Sequence, residues 1–488
     1  MNKSKFTRRS LLSGVLASAT CFNLAWAEDL EITGTWTGAL EAGSSLLHVK
    51  FEITTGGSVT LYSLDQDNKP IYGKAKSMLP ERIEFEFKSI KAGFHGRAVD
   101  ANHIEGTWTQ GSDIALVLLR GDAGLTARAK PVEPLTQQGL DLLRRECNAP
   151  ALTAGSAKRG KQNQKWVTGE RGVNTHTAAT TEDQWHLGSI TKSMTATLIA
   201  RLAESGAISW DDTVGNILKE IVPDMLPSYT GVNFRHLLSH RSGLPGDIPV
   251  AALMEFMLID NTEIPAQRQH YARVALTMSP LGPKESTYTY ANNGYIVAAA
   301  MLEAKCNRSW EDLIRTHVFE PLRLNSAGFG APGSFSVGKL SQPIGHTADI
   351  DAQLLRLVGG RGIRGVRPGY DDRTDNPAVL GPAGRVHMNI DDVLSYLAAH
   401  RDRSNFLNND SWQMLHTPPF GGNYAMGWIV RPDGTLWHNG SNNMWYAEVL
   451  LNRDSGIAAA AVANESRPAA MNAVGRLLLR AASTGDAS

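Results

Sequence analysis

Apolar and polar residues alternate along the chain from about residue 30 to residue 121. Runs such as LLHVKFEI at 46–53 and RIEFEF at 82–87 place apolar residues at every second position, and turn residues separate the runs. A period of two is typical of β-strands with one buried face. About eight short strands fit in this segment, which predicts a small antiparallel barrel or sandwich, an all-β accessory domain at 28–121.

Two similar segments lie near the ends of this region, ITGTWTG at 32–38 and IEGTWTQG at 104–111. We expect them to form the first and last strands of one closed sheet and to pair with each other. Large aromatic residues on such strands are more often buried than exposed. Trp36 and Trp108 are therefore predicted to fill the core of this domain.

After a linker at 122–136 that contains two prolines, the spacing of apolar residues becomes helical. Helical patterns cover 137–147, 190–205, 292–305 and 467–482. Two apolar runs, AEVLLN at 447–452 and IAAAAVAN at 457–464, predict neighbouring antiparallel strands joined by a turn. Helices combined with a late block of antiparallel strands indicate an α+β domain, which we place at 137–482.

The N-terminus has the character of an export signal. It combines a basic start, an apolar middle and the small-residue pattern Ala25-Trp26-Ala27. Arg8 and Arg9 favour the twin-arginine route. Residues 1–27 are thus predicted to be a signal peptide cleaved near Ala27, which would leave a periplasmic or secreted protein with no stable membrane anchor.

Composition and charge narrow the range of partners. The formal net charge is zero and charged residues are scattered, so neither nucleic acid nor an anionic membrane surface is expected as the main partner. After loss of Cys21 with the signal, Cys147 and Cys306 remain, too few and too distant for a disulfide framework or metal site. His236 and His240, four residues apart, are read as packing residues rather than as metal ligands.

The segment HLGSITKSM at 186–194 carries the first candidate chemistry. Apolar residues recur at helical spacing from Ile190 onward, which puts Ser189 and Lys192 one turn apart at a helix start. A desolvated, neutral lysine can take the proton of a serine hydroxyl and make it a nucleophile. A second Ser-x-x-Lys, Ser336 to Lys339, lies in a Gly- and Pro-rich stretch and lacks this helical context.

Two later motifs supply groups that acyl transfer also needs. Tyr290-Ala291-Asn292 offers a phenol that can exchange a proton and an amide that can hold the lysine. His438-Asn439-Gly440 stands at the start of the strand block, where glycine lets a substrate lie close to the strand edge.

These three motifs, in this order, resemble those of the serine β-lactamase and penicillin-binding-protein superfamily. The branch containing class C β-lactamases, family VIII carboxylesterases and serine D-peptidases is the most similar, and phrases such as FRHLLSHRSGLPG at 234–246 agree with it. The resemblance covers about 137–480 and implies an antiparallel sheet flanked by helices, with an additional all-helical part.

The resemblance also implies a role for each matching residue. Ser189 would be the acylated nucleophile, and Lys192 and Tyr290 would share the proton-transfer work, with either as the general base. Asn292 would bind Lys192 and the substrate. The strand residues His438, Asn439 and Gly440 would line the substrate site, and the backbone amides of Ser189 and Ser441 would form the oxyanion hole.

One departure from the family affects the expected substrate. Many β-lactamases carry Lys-Thr-Gly where this chain has His438-Asn439-Gly440, and a largely neutral histidine attracts the β-lactam carboxylate less. We therefore expect a carboxylesterase-type serine hydrolase of small esters or amides, which needs no metal or organic cofactor.

Three alternatives remain open at this stage. They are a D-amino-acid peptidase acting on D-peptides, a weak class C-type β-lactamase, and an inert protein that binds cell-wall or lipid material.

Overall fold

The computed structural model describes residues 31–65, 68–111, 113–126, 132–258, 263–336, 339–348, 362–368, 371 and 374–484. The predicted signal peptide and part of the predicted linker lie outside these residues. The chain divides into two compact units, with the main boundary after residue 127.

The first unit is a closed barrel of eight antiparallel strands in sequential order. The strands are β1 (Gly34–Ala42), β2 (Ser45–Ile53), β3 (Ser58–Ser63), β4 (Ile71–Leu79), β5 (Arg82–Phe87), β6 (Ala92–Asp100), β7 (His103–Thr109) and β8 (Asp113–Arg120). The alternating pattern produces this barrel because every second residue points into it; in β5, for example, Ile83, Phe85 and Phe87 are buried.

The barrel closes differently from the expectation that the two similar segments would pair. β1 pairs with β8, with Trp36 opposite Arg120, whereas the second copy lies in β7 and pairs with β6 and β8. The prediction was wrong because one further strand follows the second copy and supplies the closing edge. Trp36 and Trp108 are 0% and 3% exposed, which confirms their assignment to the core.

The second unit is built on a six-stranded antiparallel sheet in the order β10-β9-β21-β20-β19-β18. Its strands are β9 (Ala151–Lys158), β10 (Gln164–Gly169), β18 (Ile429–Val430), β19 (Leu436–Ser441), β20 (Tyr446–Asn452) and β21 (Ile457–Ala463). A small sheet of β11 (Gln184–His186), β17 (Val386–Asn389) and β12 (Gly328–Phe329) lies outside it. Two further sheets have two strands each, β13 (Phe335–Ser336) with β14 (Lys339–Leu340) and β15 (Gly345–Ala348) with β16 (Ile363–Val366).

Helices cover both faces of the main sheet. They are α1 (Gln137–Cys147), α2 (Thr191–Glu204), α3 (Val214–Leu218), α4 (Pro227–Thr230), α5 (Phe234–Leu238), α6 (Val250–Leu258), α7 (Ile264–Thr277), α8 (Asn292–Cys306), α9 (Trp310–Ile314), α10 (Gly381–Gly384), α11 (Ile390–Asp402), α12 (Asn409–His416) and α13 (Pro468–Thr484). Short 3₁₀ turns occur at Lys88–Ile90, Ala123–Thr126, Gly188–Ile190 and Ala378–Leu380, and a π-helical turn at Arg315–Phe319.

The helices pack on the two faces of the sheet through two apolar cores. α1 and α13 pack on one face of the sheet with residues such as Leu450 and Ala459, while α2, α8 and α11 share a larger core with alternate residues such as Val449 and Ala460. Strands β20 and β21 are nearly continuous apolar runs because both of their faces are covered. The helical part and the antiparallel sheet confirm the predicted α+β fold.

The four helices predicted from apolar spacing correspond to α1, α2, α8 and α13, and the two predicted strands are the paired β20 and β21. Cys147 and Cys306 are both free, and Cys147 is buried. No helix within the described part of the chain combines the length and apolar character needed to cross a bilayer.

Candidate active site

Ser189 lies on the 3₁₀ turn that leads directly into α2. Gly188 precedes it with a φ of +52°, in the left-handed region that favours glycine. A Cβ at Gly188 would lie 2.3 Å from the backbone nitrogen of Ser441 on β19. Gly188 thus allows the turn to pack directly against the strand, which leaves Ser189 half-buried at their junction.

Lys192, on the first turn of α2, is fully buried and donates to three oxygen atoms. Its Nζ lies 3.0 Å from Ser189 Oγ, 2.7 Å from Asn292 Oδ1 and 2.8 Å from the carbonyl oxygen of Ala383. Burial lowers the pKa of the Lys192 ammonium to about 7, and the nearby Asp247 carboxylate acts in the opposite direction. A neutral amine beside Ser189 is therefore accessible near neutral pH.

Tyr290 lies close to the amine of this lysine. Lys192 Nζ is 4.9 Å from the centre of the Tyr290 ring. Desolvation raises the pKa of the Tyr290 phenol above its ordinary value, and a hydrogen-bond interaction with Ser189 acts in the opposite direction. The phenol is consequently protonated at neutral pH, while the residue keeps 39% of its surface exposed.

Asn292 is the first residue of α8 and connects the lysine to a carboxylate that the sequence analysis did not single out. While its Oδ1 accepts from Lys192, its Nδ2 donates to Asp247 Oδ1 at 2.8 Å. Asp247 is exposed in the loop that precedes α6. The sequence carried no signal for it because it belongs to none of the three motifs.

The N-terminal turn of α2 and strand β19 meet at the positions predicted for the oxyanion hole. A Cβ at Gly440 would lie 2.0 Å from the carbonyl oxygen of Leu187 and 2.6 Å from the backbone nitrogen of Ser189. Ser189, Asn292 and Ser441 line one small cavity, together with Ala383 and Gly384 of α10. The predicted nucleophile, amide and oxyanion-hole residues therefore meet at a single site.

His438 lies within the protein rather than on the wall of this cavity. It is 1% exposed, and its Nε2 lies 2.9 Å from the hydroxyl of Tyr424. Burial and the charge of Lys192 together lower the pKa of the His438 ring to about 3. The ring is therefore neutral at the position where many β-lactamases carry a lysine.

Asn439 points away from this cavity. Side chains alternate along β19, so His438 and Gly440 face the α2 side of the sheet, whereas the Asn439 amide donates to the hydroxyl of Tyr446 at 3.2 Å. Tyr446 belongs to the core beneath α1 and α13. The structure brings together seven of the eight predicted residues in and around the site, and it separates the side chain of Asn439 from them.

His240 holds the segment that carries Tyr290. Its Nδ1 accepts from the backbone nitrogen of Ala291 at 3.0 Å, and its carbonyl oxygen accepts from Thr289 at 3.0 Å. The rings of His240 and Tyr290 are 4.3 Å apart between centroids. His236, its possible metal partner in the sequence, instead contacts Glu285 through Nε2 at 3.0 Å. The two histidines therefore have separate protein partners.

A Ser-x-x-Lys turn at the start of a central helix, packed against an antiparallel sheet, is the arrangement of the serine β-lactamase and transpeptidase fold. The family model for beta-lactamase matches residues 133–483, and the chain belongs to this family of serine hydrolases.

Individual relatives are distant. The chain is 25% identical over 268 residues to penicillin-binding protein 4 of Amycolatopsis lactamdurans, a match that covers 54% of this chain and 63% of that protein. This chain thus spans less than two thirds of the length of that relative.

Two solved structures share the fold. One is the octameric penicillin-binding protein homologue from Pyrococcus abyssi, with a TM-score of 0.55, 22% identity and coverage of 70% of this chain and 76% of that chain. The other is the D-amino acid amidase from Ochrobactrum anthropi in complex with L-phenylalanine, with a TM-score of 0.55, 19% identity and coverage of 70% and 97%.

Proposed function

We propose that this protein is an exported serine hydrolase that cleaves small esters or amides through an acyl-enzyme on Ser189. The observation that supports this most directly is the contact between Lys192 Nζ and Ser189 Oγ at 3.0 Å, made by a buried lysine. A neutral amine in hydrogen-bond reach of a hydroxyl is the arrangement needed to activate a serine nucleophile. Export follows from the predicted signal at 1–27.

Lys192 is the general base in this proposal. Its pKa of about 7 supplies neutral amine at physiological pH, whereas the Tyr290 phenol, with its raised pKa, is protonated and serves as a donor. As Ser189 Oγ attacks the carbonyl carbon, its proton passes to Lys192 Nζ. The backbone amides of Ser189 and Ser441 bind the oxyanion.

The acyl-enzyme then forms and breaks down with a balanced transfer of protons. Collapse of the tetrahedral intermediate breaks the bond to the leaving group, which receives the proton that Lys192 took, directly or by way of Tyr290. Water then attacks the acyl carbonyl and gives a proton to the same base. Release of the acid restores the Ser189 hydroxyl.

Esters without a charged carboxylate next to the reacting carbonyl are the first substrate class in this proposal. His438 occupies the place of the lysine that many β-lactamases use toward the substrate carboxylate, and its buried ring is neutral because its pKa lies near 3. A carboxylate next to the reacting carbonyl therefore gains little electrostatic attraction there. This favours a carboxylesterase over a β-lactamase or a peptidase that requires a free C-terminal carboxylate.

Amides and esters of D-amino acids with a free amino group are the second candidate. The exposed Asp247 carboxylate, held by Asn292 next to Lys192, would attract the ammonium group of such a substrate. The amidase from Ochrobactrum anthropi that shares the fold is consistent with this candidate.

The first experiment compares p-nitrophenyl butyrate, nitrocefin and D-phenylalanine amide as substrates of the purified protein and of Ser189→Ala. We expect ester turnover that is lost in the variant, with little nitrocefin hydrolysis. Efficient nitrocefin hydrolysis would contradict the argument from His438, and preferential cleavage of the D-amide would favour the second candidate. If a fluorophosphonate probe also failed to label Ser189, the remaining alternative would be an inert binding protein.

A further inference from the structure

A buried chain of side chains connects the turn that carries Ser189 to the end of strand β19. It begins at His186, two residues before Gly188. The backbone nitrogen of Gly188 donates to His186 Nδ1 at 3.1 Å. Since Nδ1 accepts this bond, the ring proton lies on Nε2, which donates to Asp375 Oδ2 at 2.9 Å.

The same carboxylate holds the turn that follows Ser441. Asp375 Oδ1 accepts from Asn442 Nδ2 at 2.7 Å. Asn442 Oδ1 in turn accepts from the backbone nitrogens of Met444 and Trp445, each at 3.1 Å. One carboxylate thus links the residue before Ser189 to the residue after Ser441.

The side chains of this network are buried. His186 and Asn442 are 0% and 4% exposed, and the Asp375 side chain is 4% exposed. Burial by itself would raise the pKa of the Asp375 carboxyl, but the contacts with His186, Arg385 and Asn442 outweigh burial and lower it. Each Asp375 oxygen also has a second donor, the backbone nitrogen of Asn376 for Oδ1 at 2.8 Å and Arg385 Nε for Oδ2 at 3.2 Å, so the carboxylate itself is held in place from several sides.

This histidine and aspartate pair is distinct from a catalytic triad. The His186 nitrogen that would face a serine nucleophile instead accepts from a backbone amide, and the Ser189 hydroxyl is bonded to Lys192. The pair therefore acts on the backbone around the nucleophile rather than on the nucleophile itself.

We propose that His186, Asp375 and Asn442 are positioning residues that set the distance between the backbone amides of Ser189 and Ser441, and hence the geometry of the oxyanion hole. This inference rests on the proposed function. An oxyanion hole is effective only when both N–H groups point at the same oxygen at hydrogen-bond distance. The network ties the two amide-bearing segments to one fixed charge, so neither segment can shift independently.

Two substitutions of His186 distinguish the hydrogen bond made by Nδ1 from the one made by Nε2. His186→Asn places an amide oxygen near the position of Nδ1 and keeps the acceptor for Gly188, but it loses the bond to Asp375. His186→Gln reaches the position of Nε2 and keeps the bond to Asp375, but it loses the acceptor for Gly188. If the chain acts as a connected unit, both variants impair the oxyanion hole.

The diagnostic measurement compares p-nitrophenyl butyrate with its thiono analogue, in which sulfur replaces the carbonyl oxygen. A well-formed oxyanion hole discriminates against sulfur, because its donors are placed for a smaller oxyanion. We expect the ratio of kcat/KM for the oxygen ester to that for the thiono ester to fall by about 10- to 100-fold in both His186 variants. Fluorophosphonate labelling counts the intact Ser189 sites in each preparation.

His387→Gln is the matched control. His387 is also buried and lies opposite His186 in the pairing of β11 with β17, but its Nδ1 contacts the carbonyl oxygen of Gly330. The ester ratio should be unchanged in this variant. Asn442→Ser cuts the chain at its other end and should also lower the ratio. It replaces either His186 variant that proves unstable.

An unchanged ester ratio in folded His186 and Asn442 variants, with only a lower melting temperature, would overturn the inference and reduce the network to packing. Failure of the proposed function itself would be seen in the wild-type protein rather than in the variants. In that case the wild-type protein would neither hydrolyse the ester nor label at Ser189, and the inference would fall with it.

Discussion

Gly440 lies so close to Ser189 that a Cβ at Gly440 would come within 2.6 Å of the Ser189 backbone nitrogen. The same Cβ would be 2.0 Å from the carbonyl oxygen of Leu187. Both neighbours are backbone atoms, so they cannot move aside without displacing Ser189. The third sequence motif thus contributes a glycine whose missing side chain sets the distance between strand β19 and α2.

Gly440→Ala should therefore abolish most of the activity. We expect a fall in kcat/KM for p-nitrophenyl butyrate of about 100-fold or more, because a displacement on the order of 1 Å at the reacting groups has this effect. The control is Gly231→Ala, where the nearest neighbour of a Cβ is Lys284 Nζ at 3.8 Å and φ is −93°. Activity of Gly440→Ala within a few-fold of wild type would contradict the close approach.

Ester hydrolysis should increase with pH through about pH 7. The Lys192 ammonium has a pKa lowered to about 7 by burial, and only the neutral amine accepts a proton from Ser189. Protonation below that pH removes the base, so kcat/KM falls as the pH is lowered. A profile of kcat/KM between pH 5 and 9 checks this; a flat profile across pH 7 would be incompatible with Lys192 as the base.

Asp247→Asn should move this profile to lower pH. The Asp247 carboxylate raises the pKa of Lys192, so its neutralisation lets the amine lose its proton at a lower pH. The asparagine oxygen still accepts from Asn292, which limits any structural change. The control is Asp224→Asn, where the carboxylate pairs with Arg273 on α7. A shift of the acid limb to higher pH in Asp247→Asn would refute the electrostatic argument.

His240 should tolerate asparagine better than alanine. His240 has a φ of +60°, and its Nδ1 accepts from the nitrogen of Ala291 beside Tyr290. Asparagine adopts left-handed backbone readily and offers an oxygen near the Nδ1 position, whereas alanine does neither. We expect His240→Ala to lose about 10- to 100-fold in kcat and His240→Asn to recover much of it. Equal activity of the two variants would argue against a role in holding Tyr290.

Arg268 should be essential to the stability of the helical part. It is 0% exposed on α7 and forms ion pairs with Glu303 and Glu311. Arg268→Met leaves a buried carboxylate without its cation and should lower the free energy of unfolding by about 3 to 5 kcal/mol. The exposed Arg273, on the same helix, pairs with Asp224, and Arg273→Met should cost less than about 1 kcal/mol. Urea denaturation of both variants measures the difference, and equal losses would contradict the argument.

Much of the fold follows from local patterns. Alternating apolar residues predict the strands of the barrel, and helical spacing predicts α2 and α8 to within about one residue, because burial of one face imposes these periods. Barrel closure was predicted less well. The similarity between 32–38 and 104–111 suggested a pairing that the structure assigns to β1 and β8, since strand pairing depends on how many strands complete the circle.

In the candidate site, too, some features follow from the sequence and others depend on the tertiary structure. Ser189 and Lys192 are three residues apart on one helical turn, so their proximity is determined by the sequence itself. The direction of the Asn439 side chain is not, because it depends on which face of β19 meets α2. The lowered pKa of Lys192 likewise requires the surrounding protein, which removes water from its amine.

The sequence alone therefore predicted Ser189 as the nucleophile with Lys192 beside it, and it determined the order of the motifs and the α+β class, since these depend on spacing within one element or on side-chain chemistry. Only the tertiary structure decided that His186 and Asp375, 189 residues apart, share a hydrogen bond, and that Asn442 completes their network. A hydrogen bond acts over about 3 Å whatever the separation along the chain. Folding alone brings such partners within that distance.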